Sequence, residues 1–357
     1  MGRINVAKSF LPPADEYQVY VDRIWESGQL TNQGPLLLEL EKRLEKRLDV
    51  SHLNLVANGT LALQLAIKAL DIEGGEVITT PFSYVATTSA LLWENCTPVF
   101  VDIEPDTFCI DADKIEAAIT PNTKAIMPVH VFGNACDIEK IDAIAKKHNL
   151  KVIYDGAHAF GSEYHGKSLL SYGDISVCSF HATKIYHTIE GGCLITEDES
   201  LSEKIELMKR FGHNGNEHYM LGINAKASEF QAAMGLANLK YVDECIADRK
   251  SIFALYDQKL SPRYRRPVVR DGTVHNYAYY PLLLESEDEL SKLMVDFESK
   301  EIYPRRYFYP SLNTLPYLRH TQKAPISEDI SRRILCLPIY TGLKTEDIIR
   351  ICEVLNR

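Results

Sequence analysis

The chain has 357 residues, 45% apolar and 25% charged, a composition typical of a globular protein and not of a disordered one. A formal net charge of −10 disfavours binding to nucleic acid or anionic membranes, which requires clustered Lys and Arg. No apolar run reaches the roughly 20 residues of a membrane-spanning helix, and the length exceeds what one core usually serves, so we expect two domains.

The cysteines and the N-terminal residues indicate the compartment. None of the eight cysteines is in a C-x-x-C pair, and none has the spacing of metal ligands. Residues 1–9 lack the apolar core of a signal peptide. We therefore expect reduced thiols, no metal site and a cytoplasmic protein.

The first predicted elements are two helices, which are separated by turn-forming residues at 29–35. The second helix is predicted from Leu36 to Leu48 because apolar residues recur there at helical spacing. Strands then alternate with helices. The predicted strands are 53–57, 76–80, 98–101, 125–129 and 151–154, and the helices between them are 60–70, 83–93, 111–119 and 138–148. Such alternation indicates parallel pairing in a sheet with helices on both faces.

The pattern changes after residue 154. Residues 175–180 and 193–196 are predicted strands without a long helix between them, so they form an antiparallel pair or an edge of the same sheet. Helices are predicted at 201–211 and 228–247, and the latter leads into a smaller domain. That domain contains a predicted strand at 277–284 and helices at 288–299 and 345–355. We predict an α/β fold with a large domain, residues 1–240, and a small C-terminal α/β domain, residues 241–357.

Ligands of open α/β sheets bind beyond the carboxyl ends of the strands, so residues that follow strands are the candidates for chemistry. Asn58, Gly59 and Thr60 stand between a strand and a helix. The unpaired N–H groups and the positive dipole end of a helix start favour a phosphate there. Helix capping by the same residues is the commoner alternative.

Asp155 and Lys184 are the next candidates. Asp155 follows the strand 151–154, where an acid could keep a pyridinium nitrogen protonated, as pyridoxal phosphate (PLP) requires. It could instead be a cap or turn acid. Lys184 follows a buried strand, and a lysine of lowered pKa can form a Schiff base. Taken alone, it could be a solvated loop lysine.

The combination is rarer than any of its parts. A phosphate cradle, a strand-end acid and a lysine about thirty residues later occur in this order, followed by Glu190-Gly191-Gly192, which indicates tight packing or a simple turn. No G-x-G-x-x-G, Walker, G-x-S-x-G or zinc pattern competes with it.

Longer motifs surround these candidates. They are Leu-Thr-Asn-Gln-Gly-Pro at 30–35, Asn-Gly-Thr-Leu-Ala-Leu at 58–63, Pro-Phe-Ser-Tyr-Val-Ala-Thr at 81–87, Pro-Val-His-Val-Phe-Gly at 128–133, Asp-Gly-Ala-His-Ala-Phe-Gly at 155–161, Ser-Phe-His-Ala-Thr-Lys at 179–184, Tyr-Pro-Arg-Arg-Tyr at 303–307 and Leu-Pro-Ile-Tyr at 337–340. With them the chain resembles the DegT/DnrJ/EryC1/StrS sugar aminotransferases from Leu30 almost to the C-terminus. The resemblance implies the aspartate-aminotransferase fold (fold type I), with a mostly parallel seven-stranded sheet between helices.

The resemblance also implies PLP as the cofactor and a role for each matched residue. Lys184 would form the Schiff base and shuttle the proton, and Asp155 would pair with the pyridine nitrogen. His158 would lie near the 3-hydroxyl of PLP, where many relatives carry Gln, and Tyr84 would stack on the ring. The phosphate would be bound by Gly59, Thr60 and Ser179.

Further implied roles concern the partner subunit and the substrate. Asn224 would reach the phosphate of the partner subunit, which would make a homodimer obligatory; Lys226 stands where many relatives have Arg. Arg305 and Arg306 are candidates for the phosphates of a nucleotide, because guanidinium suits phosphate oxygens, or they are surface charges. His181 is a candidate for substrate binding or a structural residue.

The resemblance implies transamination, because relatives that act as dehydratases carry His at the position of Lys184. We expect L-glutamate as the amino donor and a nucleotide-linked keto sugar as the acceptor. The motifs at 154–161 and 179–192 resemble enzymes that aminate dTDP-4-keto-6-deoxyglucose at C4, which gives dTDP-4-amino-4,6-dideoxyglucose for surface polysaccharide (O-antigen).

Three alternatives stay open. The chain could be a 3-aminotransferase acting on a dTDP-3-keto-6-deoxyhexose. It could also be a non-catalytic regulatory member of the family, although the intact Lys184 and Asp155 argue against this. The third alternative is a PLP decarboxylase or racemase that acts on amino acids.

Overall fold

The computed structural model describes residues 2–319 and 322–356 and is built around one seven-stranded sheet. The order of its strands across the sheet is His52–Val56, Gly192–Thr196, Ile175–Ser179, Lys151–Asp155, Thr123–Met127, Glu76–Thr79 and Thr97–Phe100. Gly192–Thr196 runs antiparallel to both of its neighbours, and the other neighbouring strands are parallel. The predicted mostly parallel seven-stranded sheet and its α/β class are therefore confirmed.

Hydrophobic cores cover both faces of this sheet. Ile153, Val177 and Leu194 belong to one core, whereas Tyr154 and Cys178, each one residue further along its strand, belong to the other. Successive side chains of a strand point to opposite faces, so a sheet with apolar residues at consecutive positions must be covered on both sides.

The helices of the described chain are Ala14–Ser27, Pro35–Leu48, Gly59–Ala69, Ala86–Trp93, Ala112–Ile115, Ile138–His148, Glu199–Met208, Glu229–Leu239, Val242–Lys259, Glu287–Ser299, Pro325–Arg333 and Thr345–Leu355. The single helix predicted at 228–247 is in fact two helices, Glu229–Leu239 and Val242–Lys259. The first packs Ala232 and Leu236 into the main core, and the second carries Ile252 into another core. One straight helix could not present its apolar face to both.

This other core contains residues from Ile252 to Leu355, together with Ile4 from the beginning of the chain. Two small sheets support it: Ile4–Asn5 pairs with Ile302–Tyr303 in parallel, and Tyr280–Leu283 pairs with Ile334–Leu337 antiparallel. The division into domains at residue 240 stays a prediction.

Two other local predictions differ from the structure. The strand predicted at 277–284 begins only at Tyr280, because Tyr277 has a positive φ of 57°, which no strand residue adopts. The helix predicted at 111–119 is a short α-helical turn followed by a 3₁₀ turn at Glu116–Ala118.

Within the described ranges, no helix is both long and apolar enough to cross a bilayer. The eight cysteines are buried free thiols. Over the same residues, no group of three or more His, Cys, Asp or Glu side chains could hold a metal ion.

Candidate active site

A cavity of about 310 Å³ opens at the carboxyl ends of the sheet strands, where open α/β sheets bind their ligands. The strands that end at Asp155 and Ser179 deliver side chains to it directly, and the strand that ends at Val56 leads to Asn58 at its edge. The cavity brings together these residues predicted from sequence: Gly59, Thr60, Tyr84, Asp155, His158, Ser179, His181 and Lys184.

The helix Gly59–Ala69 begins at the edge of this cavity. Its N-cap, Asn58, accepts a hydrogen bond from the N–H of Leu61 at 2.9 Å, which fixes the first turn. Among the described residues no acceptor bonds the N–H groups of Gly59 and Thr60. A β-carbon at position 59 would come within 3.1 Å of the β-carbon of Ser179. The helix start and Ser179 therefore lie close together. They offer an anion two N–H donors, a helix dipole and a serine hydroxyl.

Asp155 lies on the floor of the cavity and is only 4% exposed. Its Oδ2 accepts a hydrogen bond from Thr87 Oγ1 at 2.7 Å, and its Oδ1 accepts one from the N–H of Ala157 at 3.1 Å. Burial raises the pKa of this carboxyl group, and the two hydrogen bonds and the charge of Lys184 only partly oppose the rise. A cationic group beside Asp155 would therefore stabilise its charged form.

Lys184 lies in the turn that follows the strand Ile175–Ser179, where its N–H donates to the carbonyl of His181 at 2.8 Å. Its Nζ donates to the phenol oxygen of Tyr279 at 3.4 Å. Burial lowers the pKa of the Lys184 amine, and the nearby carboxylate of Asp155 opposes this effect. A lowered pKa increases the neutral fraction of the amine, which is the form that attacks a carbonyl.

His158 is a neutral hydrogen-bond donor in this cavity. Burial, with the charge of Lys184, lowers the pKa of its imidazole well below the usual range. Its Nδ1 accepts a hydrogen bond from the N–H of Phe132 at 3.4 Å, so the proton of the neutral ring is on Nε2. The ring stacks on Phe308, with centroids 5.3 Å apart and planes at 9°.

Two side chains stand at the rim of the cavity. Tyr84 is 58% exposed and offers its ring to a planar ligand. The Nε2 of His181 lies 3.5 Å from the Oε1 of Glu190, and its Nδ1 lies 2.8 Å from the hydroxyl of Thr183. The roles of Tyr84 and His181 stay predictions.

Three predicted residues lie outside the lining of this cavity. Asn224 is exposed and accepts a hydrogen bond from Lys226 Nζ at 2.7 Å. Arg305 is exposed, and its backbone pairs with Cys336. The guanidinium of Arg306 bonds Glu287 at 2.9 Å, so local contacts already occupy it. The roles of all three residues stay predictions.

The structure adds residues that the pattern of the sequence did not single out. Thr87 donates a hydrogen bond to Asp155 and is itself hydrogen-bonded to Ser83, four residues earlier. The only sequence signal for this contact was the four-residue spacing between Ser83 and Thr87 within the 81–87 motif. Tyr279, Tyr307 and Phe308 also line the cavity. No local pattern marks Tyr279, because only folding brings it to Lys184.

Known proteins resemble this chain over its full extent. The profile of the DegT/DnrJ/EryC1/StrS aminotransferase family matches residues 14–356. A dTDP-4-amino-4,6-dideoxy-D-glucose transaminase from Shigella dysenteriae is 42% identical over 351 residues, which covers 96% of this chain and 95% of the relative. A GDP-perosamine synthase from Escherichia coli O157:H7 is 36% identical over 342 residues, which covers 94% of each protein.

A solved structure with the same fold supports this family assignment. The crystal structure of DesI in the presence of its TDP-sugar product superposes with a TM-score of 0.93 at 32% sequence identity. The match covers 99% of this chain and 92% of that one. Together with the sequence matches, this similarity establishes that the chain belongs to the DegT/DnrJ/EryC1/StrS aminotransferase family, whose members have the fold type I architecture.

Proposed function

We propose that this protein is a PLP-dependent aminotransferase of dTDP-4-keto-6-deoxyglucose, with L-glutamate as the amino donor. The product would be dTDP-4-amino-4,6-dideoxyglucose, a precursor of surface polysaccharide such as O-antigen, made in the cytoplasm by a homodimer. The observation that carries the proposal is a single cavity shared by a lysine amine, a buried acid and a helix start.

The residues present fit PLP. The N–H groups of Gly59 and Thr60 and the hydroxyl of Ser179 suit a phosphate. The buried Asp155 lacks a cationic side chain in hydrogen-bond contact, and a protonated pyridine nitrogen would supply the missing charge. The amine of Lys184 faces the same cavity, as an aldehyde partner requires.

Bound PLP supplies a carbonyl for amine exchange and an electron sink for the negative charge left when a proton is removed. Lys184 removes the proton from the α-carbon of glutamate and returns one to C4 of the sugar in the second half of the reaction. Asp155 would hold the ring nitrogen in its protonated form, and the neutral imidazole of His158 would donate a hydrogen bond to the 3-oxygen.

The choice of substrate rests on the relatives. The Shigella relative is named for a dTDP-linked 4-amino sugar, and the DesI structure contains a TDP-sugar product. The GDP-perosamine synthase shows that another base occurs in the family. Amination of a dTDP-3-keto-6-deoxyhexose at C3 is the second candidate. The intact pair of Lys184 and Asp155 favours a catalyst over a regulatory protein.

The test is to incubate the purified enzyme with PLP and L-glutamate and with each of three sugars: dTDP-4-keto-6-deoxyglucose, its GDP analogue and a dTDP-3-keto-6-deoxyhexose. We expect the 4-keto dTDP sugar to react fastest, with a C4 amine identified by mass spectrometry and NMR. Borohydride should bleach the yellow enzyme and trap PLP on Lys184. Lys184→Ala is the matched control. Failure to convert any nucleotide sugar, or turnover of amino acids alone, would contradict the proposal.

A further inference from the structure

Tyr279 reaches the cavity from the C-terminal part of the chain, one residue before the strand Tyr280–Leu283. Its phenol oxygen accepts the hydrogen bond from Lys184 Nζ at 3.4 Å. Within the described part of the chain, neither Lys184 Nζ nor the phenol oxygen of Tyr279 makes another hydrogen bond. The amine of Lys184 is therefore attached to the cavity wall at a single point.

Aromatic contacts fix the direction of the Tyr279 hydroxyl. The ring of Tyr279 meets His158 edge-on, with centroids 5.0 Å apart and planes at 67°. It meets Tyr307 edge-on at 5.8 Å and 89°, and Phe132 at 5.3 Å and 47°. Rings held on three sides cannot rotate freely, so the phenol oxygen stays directed at Lys184.

The backbone next to Tyr279 is held as well. The buried guanidinium of Arg249 donates from Nη1 to the carbonyl of Ala278 at 3.3 Å and to that of Ile339 at 3.1 Å. A small cavity of about 30 Å³ is lined by Arg249, Lys184 and Tyr279, among others. The helix that carries Arg249 thus sets the position of the segment that carries Tyr279.

Tyr279 acts as a neutral group. Burial raises its pKa, so the phenol keeps its proton at physiological pH. It can accept a hydrogen bond from the amine of Lys184, but it cannot take the proton as a base. Its own O–H remains free to donate into the cavity.

We propose that Tyr279 is a positioning residue for Lys184, whose amine it holds at the cavity wall whenever the amine is not covalently bonded. The proposal rests on the proposed function, in which Lys184 leaves the cofactor and then moves a proton. A lysine side chain has four flexible carbons, and its proton transfer requires one geometry. One hydrogen bond, donated by the amine to the oxygen of a rigid phenol, supplies that geometry.

The test compares the apoenzymes of the wild type and Tyr279→Phe, which keeps the ring and removes only the hydroxyl. Cyanate reacts with neutral amines, and peptide mass spectrometry measures its addition to Lys184. The hydroxyl stabilises the ammonium form, so we expect Lys184 of Tyr279→Phe to react about threefold faster near neutral pH. In the PLP-loaded enzyme we expect kcat to fall about tenfold while KM for the sugar changes less than about twofold.

Tyr280→Phe is the matched control, because the hydroxyl of this adjacent tyrosine donates to Asp257 and lies in the other core. Lys184 of Tyr280→Phe should react with cyanate at the wild-type rate. The thermal unfolding curve of Tyr279→Phe guards against a folding defect, and we expect it to match that of the wild type.

The outcomes separate the two proposals. Equal cyanate rates at Lys184 in the wild type and Tyr279→Phe would overturn the role of Tyr279, even if PLP is trapped on Lys184 in both. If borohydride traps no PLP on Lys184 of the wild type, the proposed function itself fails, and the inference fails with it.

Discussion

Burial disfavours the charged form of both Asp155 and Lys184. Burial raises the pKa of the Asp155 carboxyl and lowers the pKa of the Lys184 amine, so each charge is costly in this cavity. A planar ligand with a cationic nitrogen on one side and an aldehyde on the other would relieve both costs. The perturbed residues therefore indicate the type of ligand as well as the location of the site.

At the scale of the residue, Asp155→Asn tests the electron-sink role. The substitution keeps the shape and removes the charge that would hold the ring nitrogen protonated. We expect kcat to fall about 10²–10³-fold, as when one preorganised charge stabiliser is lost. PLP should still be trapped on Lys184 by borohydride. A kcat within about threefold of the wild type would refute the role of Asp155.

The neighbouring threonines provide graded controls for that measurement. Thr87→Val removes the hydroxyl that donates to Asp155 at 2.7 Å and should lower kcat about tenfold or less, the worth of one hydrogen bond. Thr88→Val removes a buried hydroxyl that bonds no described group, so kcat should not change.

At the scale of the element, the start of the helix Gly59–Ala69 combines two properties. Asn58 caps the helix, which is a local stabilising feature found in any protein. The same cap keeps the N–H groups of Gly59 and Thr60 at the mouth of the cavity. Stability and ligand binding are thus expected to depend on one side chain.

Asn58→Ala tests both properties together. We expect the free energy of unfolding of the apoenzyme to fall by about 1 kcal/mol and PLP to bind about tenfold more weakly, because the first turn frays. Denaturation curves and titration of PLP absorbance measure the two effects.

Ser286→Ala is the matched control for Asn58→Ala. Ser286 caps the helix Glu287–Ser299 by accepting from the N–H of Glu289 at 3.1 Å. Ser286→Ala should lower the free energy of unfolding by the same amount and leave the affinity for PLP unchanged. If Asn58→Ala also binds PLP with wild-type affinity, the helix start is a cap and nothing more.

At the scale of the whole molecule, the segment 211–223 supports the proposed homodimer. It exposes Phe211, Tyr219 and Leu221, the last of them 81% exposed, next to Asn224. An exposed apolar segment of this kind is typical of an interaction surface. A second copy of the chain could cover it and receive Asn224 near its phosphate site.

Subunit mixing tests this arrangement. We expect Lys184→Ala and Asn224→Asp each to be inactive as pure dimers, the latter because a carboxylate would face the phosphate. After unfolding and refolding together in equal amounts, random pairing should restore about a quarter of the wild-type sites, since one site of each mixed dimer contains neither change. Refolding of each variant alone is the control. No recovery in the mixture would mean that Asn224 acts within its own subunit, and an active Asn224→Asp dimer would mean that Asn224 does not bind the phosphate.

Local features of the sequence determined most of the fold and the chemical centre of the site. Apolar runs alternating with helical spacing predicted a sheet between helices, because burial on both faces leaves a signal in consecutive residues, and the family resemblance implied its seven strands. Strand ends followed by Asn58, Asp155 and Lys184 predicted where ligands gather, since the carboxyl ends of parallel strands share one edge. The family resemblance added the individual roles.

Only the tertiary structure decided what depends on contacts between distant segments. Tyr279 lies 95 residues from Lys184 along the chain, and Thr87 lies 68 residues from Asp155, so no periodicity could pair them. The break between the helices Glu229–Leu239 and Val242–Lys259 was equally hidden, because it reflects two cores and not a local helix breaker. A sequence pattern reports which side of an element is buried, whereas packing determines the partner against which it is buried.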